Sequence, residues 1–236
     1  MNHHISQQNP DTIQSYQGIQ DRIKKYCEKF QRSPSTVKIL AVSKKQSIDK
    51  IGSVYDFGHR YFGENYAQEL FHKAETLSHL QISWSFIGTL QSNKIRKLVK
   101  YCDEIQTVAS PKQASMISHW AEQYGKSPYP IYLHVNYERE EQKGGVKIED
   151  IPILQSFIQK DCPHLLLQGI MAIPAKKSSI AASSGQIPLV YHKLREAAET
   201  IGEGLLSLGM SLDMEAAIGA GSNCIRIGTG IFGARI

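Results

Sequence analysis

The chain is 236 residues long, with 27 Lys+Arg against 22 Asp+Glu and a formal net charge of +5. That length allows two small domains or one large barrel-type domain, and 41% hydrophobic against 21% charged residues excludes a disordered chain. No apolar run reaches the ~18 residues of a membrane helix, and the opening MNHHISQQNPD lacks the apolar core of a secretory signal, so no membrane partner and a cytoplasmic location are expected.

The first predicted element is a helix over 11–30, where Ile13, Tyr16, Ile19, Ile23, Tyr26 and Phe30 recur at three- and four-residue steps. Asp11 is its expected N-cap, with Gln14 three residues on, and the helix is expected to cover the barrel floor. Eight short apolar runs come next, at 37–42, 61–62, 82–87, 104–108, 131–135, 166–173, 205–210 and 224–227. Helical spacing fills the intervals at 47–57, 66–77, 93–101, 111–124, 148–160, 188–201 and 214–220. Apolar strands alternating with helices predict parallel βαβ units, and eight of them predict a single α/β domain over 1–236, a (β/α)8 TIM barrel with an extra N-terminal helix. An open doubly wound sheet counts its strands in the same way.

Two longer connections come after candidate strands: 137–146, charged and carrying Gly144-Gly145, and 176–185, rich in Ser and Ala. Barrel enzymes keep ligand loops there, although a plain surface excursion accounts equally well for the second. The cysteines at 27, 102, 162 and 224 form no CxxC or Cys/His cluster, so no metal site is expected and idle thiols in a reducing compartment are. Lys94, Arg96, Lys97 and Lys100 at helical spacing read as a solvated face, with no nucleic-acid partner.

Functional residues of a barrel lie where its strands end. Run one ends in Ala41-Val42-Ser43-Lys44. A lysine at such a mouth is partly desolvated and can condense with an aldehyde, or Lys44 and Lys45 simply open the next helix and face water. Run two ends in Phe62-Gly63-Glu64-Asn65, where Asn65 is a ligand contact or an N-cap, the latter favoured on position alone. Run seven leads into Ser211 and run eight through Arg226 into Gly228-Thr229-Gly230, two adjacent loops suited to a phosphate. The alternative takes the glycines as turns and Ser211 as a helix cap. Together the lysine and the phosphate cup suggest an aldehyde that carries a phosphate: pyridoxal 5′-phosphate, or a phosphorylated sugar.

The segments ILAVSKKQ, RYFGENYAQEL, WSFIGTLQSNKIRKLV, LQGIMAIPA, LSLGMSLDMEAAIGAGSNCIRIGTGIFGAR and, more loosely, VNYEREEQKGGV resemble the pyridoxal phosphate homeostasis proteins, relatives of the barrel domain of alanine racemase. The resemblance runs from residue 37 to 235 in unbroken order. It implies a pyridoxal phosphate-binding barrel with the cofactor as a Schiff base on Lys44, phosphate contacts from Ser211, Gly228 and Thr229, Arg226 by the pyridine nitrogen, and Asn65 nearby. Departures from the family pattern are Ser85 in place of His, Thr89 of Pro, Lys45 of Thr, and Leu212 within an acidic pair. The resemblance also implies a role in vitamin B6 and amino-acid or keto-acid balance without established turnover. The partners would then be the cofactor and apo-enzymes that receive it. No length remains for the domain that completes racemase sites, so a monomer is expected. An enzyme using the same cofactor, a slow racemase or a lyase, would need a second proton donor, for which Tyr137, Lys143 and Ser85 are weak candidates. A Schiff-base aldolase acting on a phosphosugar is the third reading.

Overall fold

Residues 9–137 and 144–234 are described by a computed structural model of the chain. Lys143 and Arg235 lie outside the described residues. The strands are β1 (Lys38–Val42), β2 (Tyr61–Glu64), β3 (Ser83–Phe86), β4 (Glu104–Val108), β5 (Tyr129–Val135), β6 (Leu165–Ala172), β7 (Leu205–Ser207) and β8 (Cys224–Ile227). Each pairs in parallel with its successor, and β8 returns to β1 through Lys38↔Cys224 to Ala41↔Ile227, closing the barrel. The open-sheet alternative is thereby excluded.

The helices are α1 (Pro10–Lys29), α2 (Ile48–Asp56), α3 (Ala67–Thr76), α4 (Ile95–Tyr101), α5 (Pro111–Gln123), α6 (Ile151–Asp161), α7 (Lys176–Ala182), α8 (Leu189–Glu199), α9 (Met214–Gly219) and α10 (Thr229–Phe232). Asn9, not Asp11, caps α1: its side chain accepts the Thr12 N–H, Pro10 opens the first turn and Asp11 lies inside it. Tyr16, Ile19, Ile23 and Cys27 form the buried stripe of α1. The helix packs on α2, α9 and α10, and therefore on the outer wall rather than the expected floor. Among the described residues, β8 is followed by the single turn of α10, and α1 packs beside it in the ring of helices. Burial of Tyr16, Ile19 and Ile23 contributes roughly 1.5–3 kcal/mol each. Arg32, just past α1, fixes the join by donating from Nη1 to the Ile218 and Ser222 carbonyls at 2.7 and 2.8 Å.

The serine- and alanine-rich connection is no plain excursion, because residues 176–182 form α7 and Ser179 reaches the barrel mouth. The four cysteines are free and buried. The basic residues of α4 lie over aromatic rings: Arg96 over Trp120, Lys97 over Phe71 and Lys100 over Tyr101.

Polar groups thread the barrel interior. Tyr61, Ser85 and Gln106 all donate to Glu104 Oε1, at 2.5, 2.8 and 2.7 Å. Ser207 Oγ donates to Gln106 Oε1 at 2.8 Å and accepts from Arg226 Nη1 at 2.9 Å. A hydrogen-bonded chain thus joins Glu104, at the start of β4, to the guanidinium under the mouth. Ser85 is consumed in this chain.

Candidate functional site

A cavity of about 250 Å³ opens at the C-terminal ends of the strands. Lys44, Asn65, Ser211, Arg226, Gly228 and Thr229 all line it. Tyr137 lines a separate small cleft with Val190 and Leu194.

Lys44 lies just past β1 in a turn, and α2 begins only at Ile48, capped by Ser47, so the lysine does not open that helix. The turn is held from below. Ser43 N donates to the Gly63 carbonyl at 3.0 Å, and Ser43 Oγ to Glu64 Oε1 at 2.7 Å. Lys73, only 3% exposed, donates to the Ser43 carbonyl, Glu64 Oε1 and Glu69 Oε1 at 2.7, 2.8 and 2.6 Å. Glu69 Oε1 also accepts the Lys45 N–H at 2.6 Å, where the backbone turns left-handed at φ 55°. Burial pushes the Glu64 carboxyl above the usual range even against the pull of Lys73.

On the opposite side, Asp213 shapes the loop that carries Ser211. Its Oδ1 accepts the Met210 N–H at 2.6 Å and its Oδ2 accepts the Tyr191 hydroxyl, both inside the protein. Burial and the adjacent carboxylate push the Tyr191 phenol up. Asp213 also occupies the N-cap position of α9, so Ser211 is not that cap. A side chain at Gly209, where φ is 100°, would place its Cβ 2.4 Å from Ala217 Cβ. The β8 loop closes against the same spot: a Cβ on Gly230 would stand 3.0 Å from Ser211 Oγ, and one on Gly228 3.3 Å from the Val42 carbonyl.

Arg226 forms the floor. It is buried and donates to the Ser207 carbonyl at 2.7 Å and, through Nη2, to the Ala172 carbonyl at 2.7 Å. Burial lowers its affinity for the proton relative to an ordinary guanidinium. Asn65, favoured on position alone as a cap, is not one. The N-cap of α3 is Tyr66, and Asn65 Oδ1 is buried with no hydrogen-bond partner. The backbone there is gripped by the loop after β3, since a Cβ on Gly88 would fall 1.8 Å from the Asn65 carbonyl.

Sequence reasoning missed the rest of the lining: Val42, Ile87, Met171, Ile173, Ser179, Met210 and Asp213. The strand-end position of the apolar ones was the available signal. Leu212, noted only as a departure, stands at the rim and is 78% exposed.

A closed parallel barrel whose mouth joins a lysine, a buried arginine and a glycine-hydroxyl cup defines a (β/α)8 barrel protein with a cavity at its strand ends. Alanine racemase of Clostridium difficile superposes with a TM-score of 0.65 over 91% of this chain and 56% of its own, at 12% identity, a likeness of fold. The pyridoxal phosphate homeostasis protein of Haemophilus influenzae is 38% identical over 226 residues, 92% of this chain and 93% of its own. This chain belongs to the pyridoxal phosphate homeostasis protein family. PipY of Synechococcus elongatus, solved with pyridoxal phosphate bound, superposes with a TM-score of 0.74 at 28% identity, over 89% of this chain and all of its own. No family model matches the chain.

Proposed function

We propose that this chain binds pyridoxal 5′-phosphate, holding it as a Schiff base on Lys44, and serves vitamin B6 and amino-acid or keto-acid homeostasis without turnover of its own. The observation that carries this reading is the convergence of Lys44, Arg226, Ser211, Gly228 and Thr229 on one cavity. When bound, the cofactor supplies an aldehyde that condenses with an amine and a ring that absorbs visible light. The residues fit it: Ser211 and Thr229 offer two hydroxyls, and Gly228 its backbone, to a phosphate in the cavity. Lys44 supplies the amine. Arg226, fixed by carbonyl and hydroxyl acceptors, would stand by the ring nitrogen and disfavour a second cation there. Asn65 lines the same cavity.

The absence of turnover has its own support. Among the described residues lining the cavity, the carboxylate is Asp213, already engaged by Met210 and Tyr191, and Ser85 is bound within the barrel. In this reading the chain acts as one domain and as a cytoplasmic monomer, and apo-enzymes receive the cofactor. Four free buried thiols suit a reducing compartment.

Titration of the cofactor into wild type, Lys44→Ala, Ser211→Ala and Thr229→Val, monitored by absorbance and fluorescence, tests the reading. Lys44→Ala is expected to lose the visible band, and each hydroxyl variant to bind about tenfold more weakly. Wild-type affinity in all three variants contradicts it. Catalytic release of product from amino acids by the loaded chain would instead make it an enzyme.

A further inference from the structure

A second cavity, of about 200 Å³, opens beside the first. The two share Asn65, Ile87, Met171 and Ile173, so they meet along a common wall. Thr89, Thr107, Gln113, His134, Gly144 and Gly145 contribute to the remaining lining. Among the described residues, no Asp, Glu, Lys or Arg lines it.

A β-bulge turns Thr107 towards this space. Between the pairs Ile105↔Ile131 and Val108↔Leu133, β4 advances three residues while β5 advances two. The extra residue breaks the alternation and re-aims a side chain that regular pleating would send outward. Thr107 is 5% exposed, and its hydroxyl has no hydrogen-bond partner. Asn65 Oδ1, on the shared wall, is likewise buried and unpartnered. Gln113, by contrast, is spent on the Ala109 N–H and the Leu90 carbonyl, at 2.8 and 3.0 Å. Two orphaned polar atoms on one small cavity are costly unless a ligand or a water pairs them.

The cavity edge is held in place by backbone. The Val146 N–H donates to the His134 carbonyl at 2.7 Å, and the Val146 carbonyl accepts the Asn136 N–H at 2.9 Å. Gly145, at φ 133°, allows this approach, since its Cβ would meet Asn136 N at 2.9 Å.

The geometry points to a subsite for the hydroxyl-bearing end of a small amino acid, with its amine directed to the Lys44 cavity. A hydroxyl supplies the donor that Asn65 Oδ1 lacks and accepts from Thr107. The cavity of about 200 Å³ admits a short hydroxyl-bearing end such as that of serine. The orientation of the amine rests on the proposed role of Lys44. The hydroxyl preference does not.

Binding of L-serine and L-alanine to the cofactor-stripped full chain, measured by ligand-observed NMR and calorimetry, tests the subsite in wild type and Thr107→Val. Serine is expected to bind about tenfold tighter than alanine to wild type, and within about twofold of it in Thr107→Val. The variant's melting temperature should not fall, because the hydroxyl it loses makes no bond. Equal affinities in wild type, an undiminished preference in the variant, a lowered melting temperature or no serine binding would each overturn the assignment. Failure of the Lys44 reading is seen separately, as loss of cofactor binding with the serine preference intact.

Discussion

Replacing Lys73 by Met removes the support of the turn that carries Lys44. The ammonium makes three bonds of 2.6–2.8 Å inside the protein, to Ser43 O, Glu64 Oε1 and Glu69 Oε1. Without it, Glu64 keeps only the Ser43 hydroxyl, because its Oε2 already has no partner. Breaking a buried pair by removing one member costs roughly 3–5 kcal/mol. At about 2–4 °C per kcal/mol for a chain of this size, the melting temperature should fall by roughly 6–20 °C. The loss depends on pH with a definite sign. Burial holds the folded Glu64 carboxyl above its ordinary 4.5, so the folded state keeps a proton that the unfolded chain releases, and stability falls as pH rises from 4.5 through the folded value. Loss of Lys73 raises that folded value further, so the deficit should be larger at pH 8 than at pH 5. Calorimetric melts of wild type, Lys73→Met and Lys73→Met/Glu64→Gln across that range provide the assay, with the double variant recovering at least about half the loss. A deficit under about 1 kcal/mol, equal at both pH values, would refute the reasoning.

Two single contacts carry further expected outcomes. His59 is neutral, its Nδ1 accepting from the Tyr16 hydroxyl and its Nε2–H donating to the Tyr61 carbonyl, and burial pushes its pKa down to about 4. Stability should therefore drop by about 3 kcal/mol as pH falls from 6.5 through 4, and urea melts of His59→Gln should show a shallower acid slope. Asp213→Ala frees the Met210 N–H and the Tyr191 hydroxyl; it should cost about 2–3 kcal/mol and weaken cofactor binding about tenfold by loosening the Ser211 loop, both read by calorimetry.

The strands and the mouth were legible because parallel strands buried on both faces read as apolar runs, and barrel ligand residues sit where those runs stop. Lys44, Ser211, Gly228 and Thr229 come just after such runs, and Arg226 lies within the last of them. What the sequence hid is long-range pairing. Nothing in the spacing joins Lys73 on α3 to Ser43 beyond β1, although Glu64 at the end of an otherwise uncharged strand was a sign that a buried partner existed. Glu104 and Gln106, two apart in β4, likewise marked a polar line facing inward. The bulge at Thr107 left no trace, because one extra residue in a five-residue strand does not alter its composition. The cap of α1 shifted by two residues since Asn9 and Asp11 are both good caps, and Pro10 between them selects Asn9 by its fitness for the first turn. The place of α1 in the ring is set by its packing on α2, α9 and α10, which the periodicity of α1 itself cannot report.

Whether Lys44 carries pyridoxal 5′-phosphate is decided most directly by loading the chain with the cofactor, reducing it with borohydride, digesting it and locating the pyridoxyl group by mass spectrometry. The label is expected on the peptide containing Lys44 in wild type, and that peptide is expected unlabelled in Lys44→Ala, with the visible band lost in the same variant. A label on another lysine alone, or a visible band of full intensity in Lys44→Ala, would contradict the assignment.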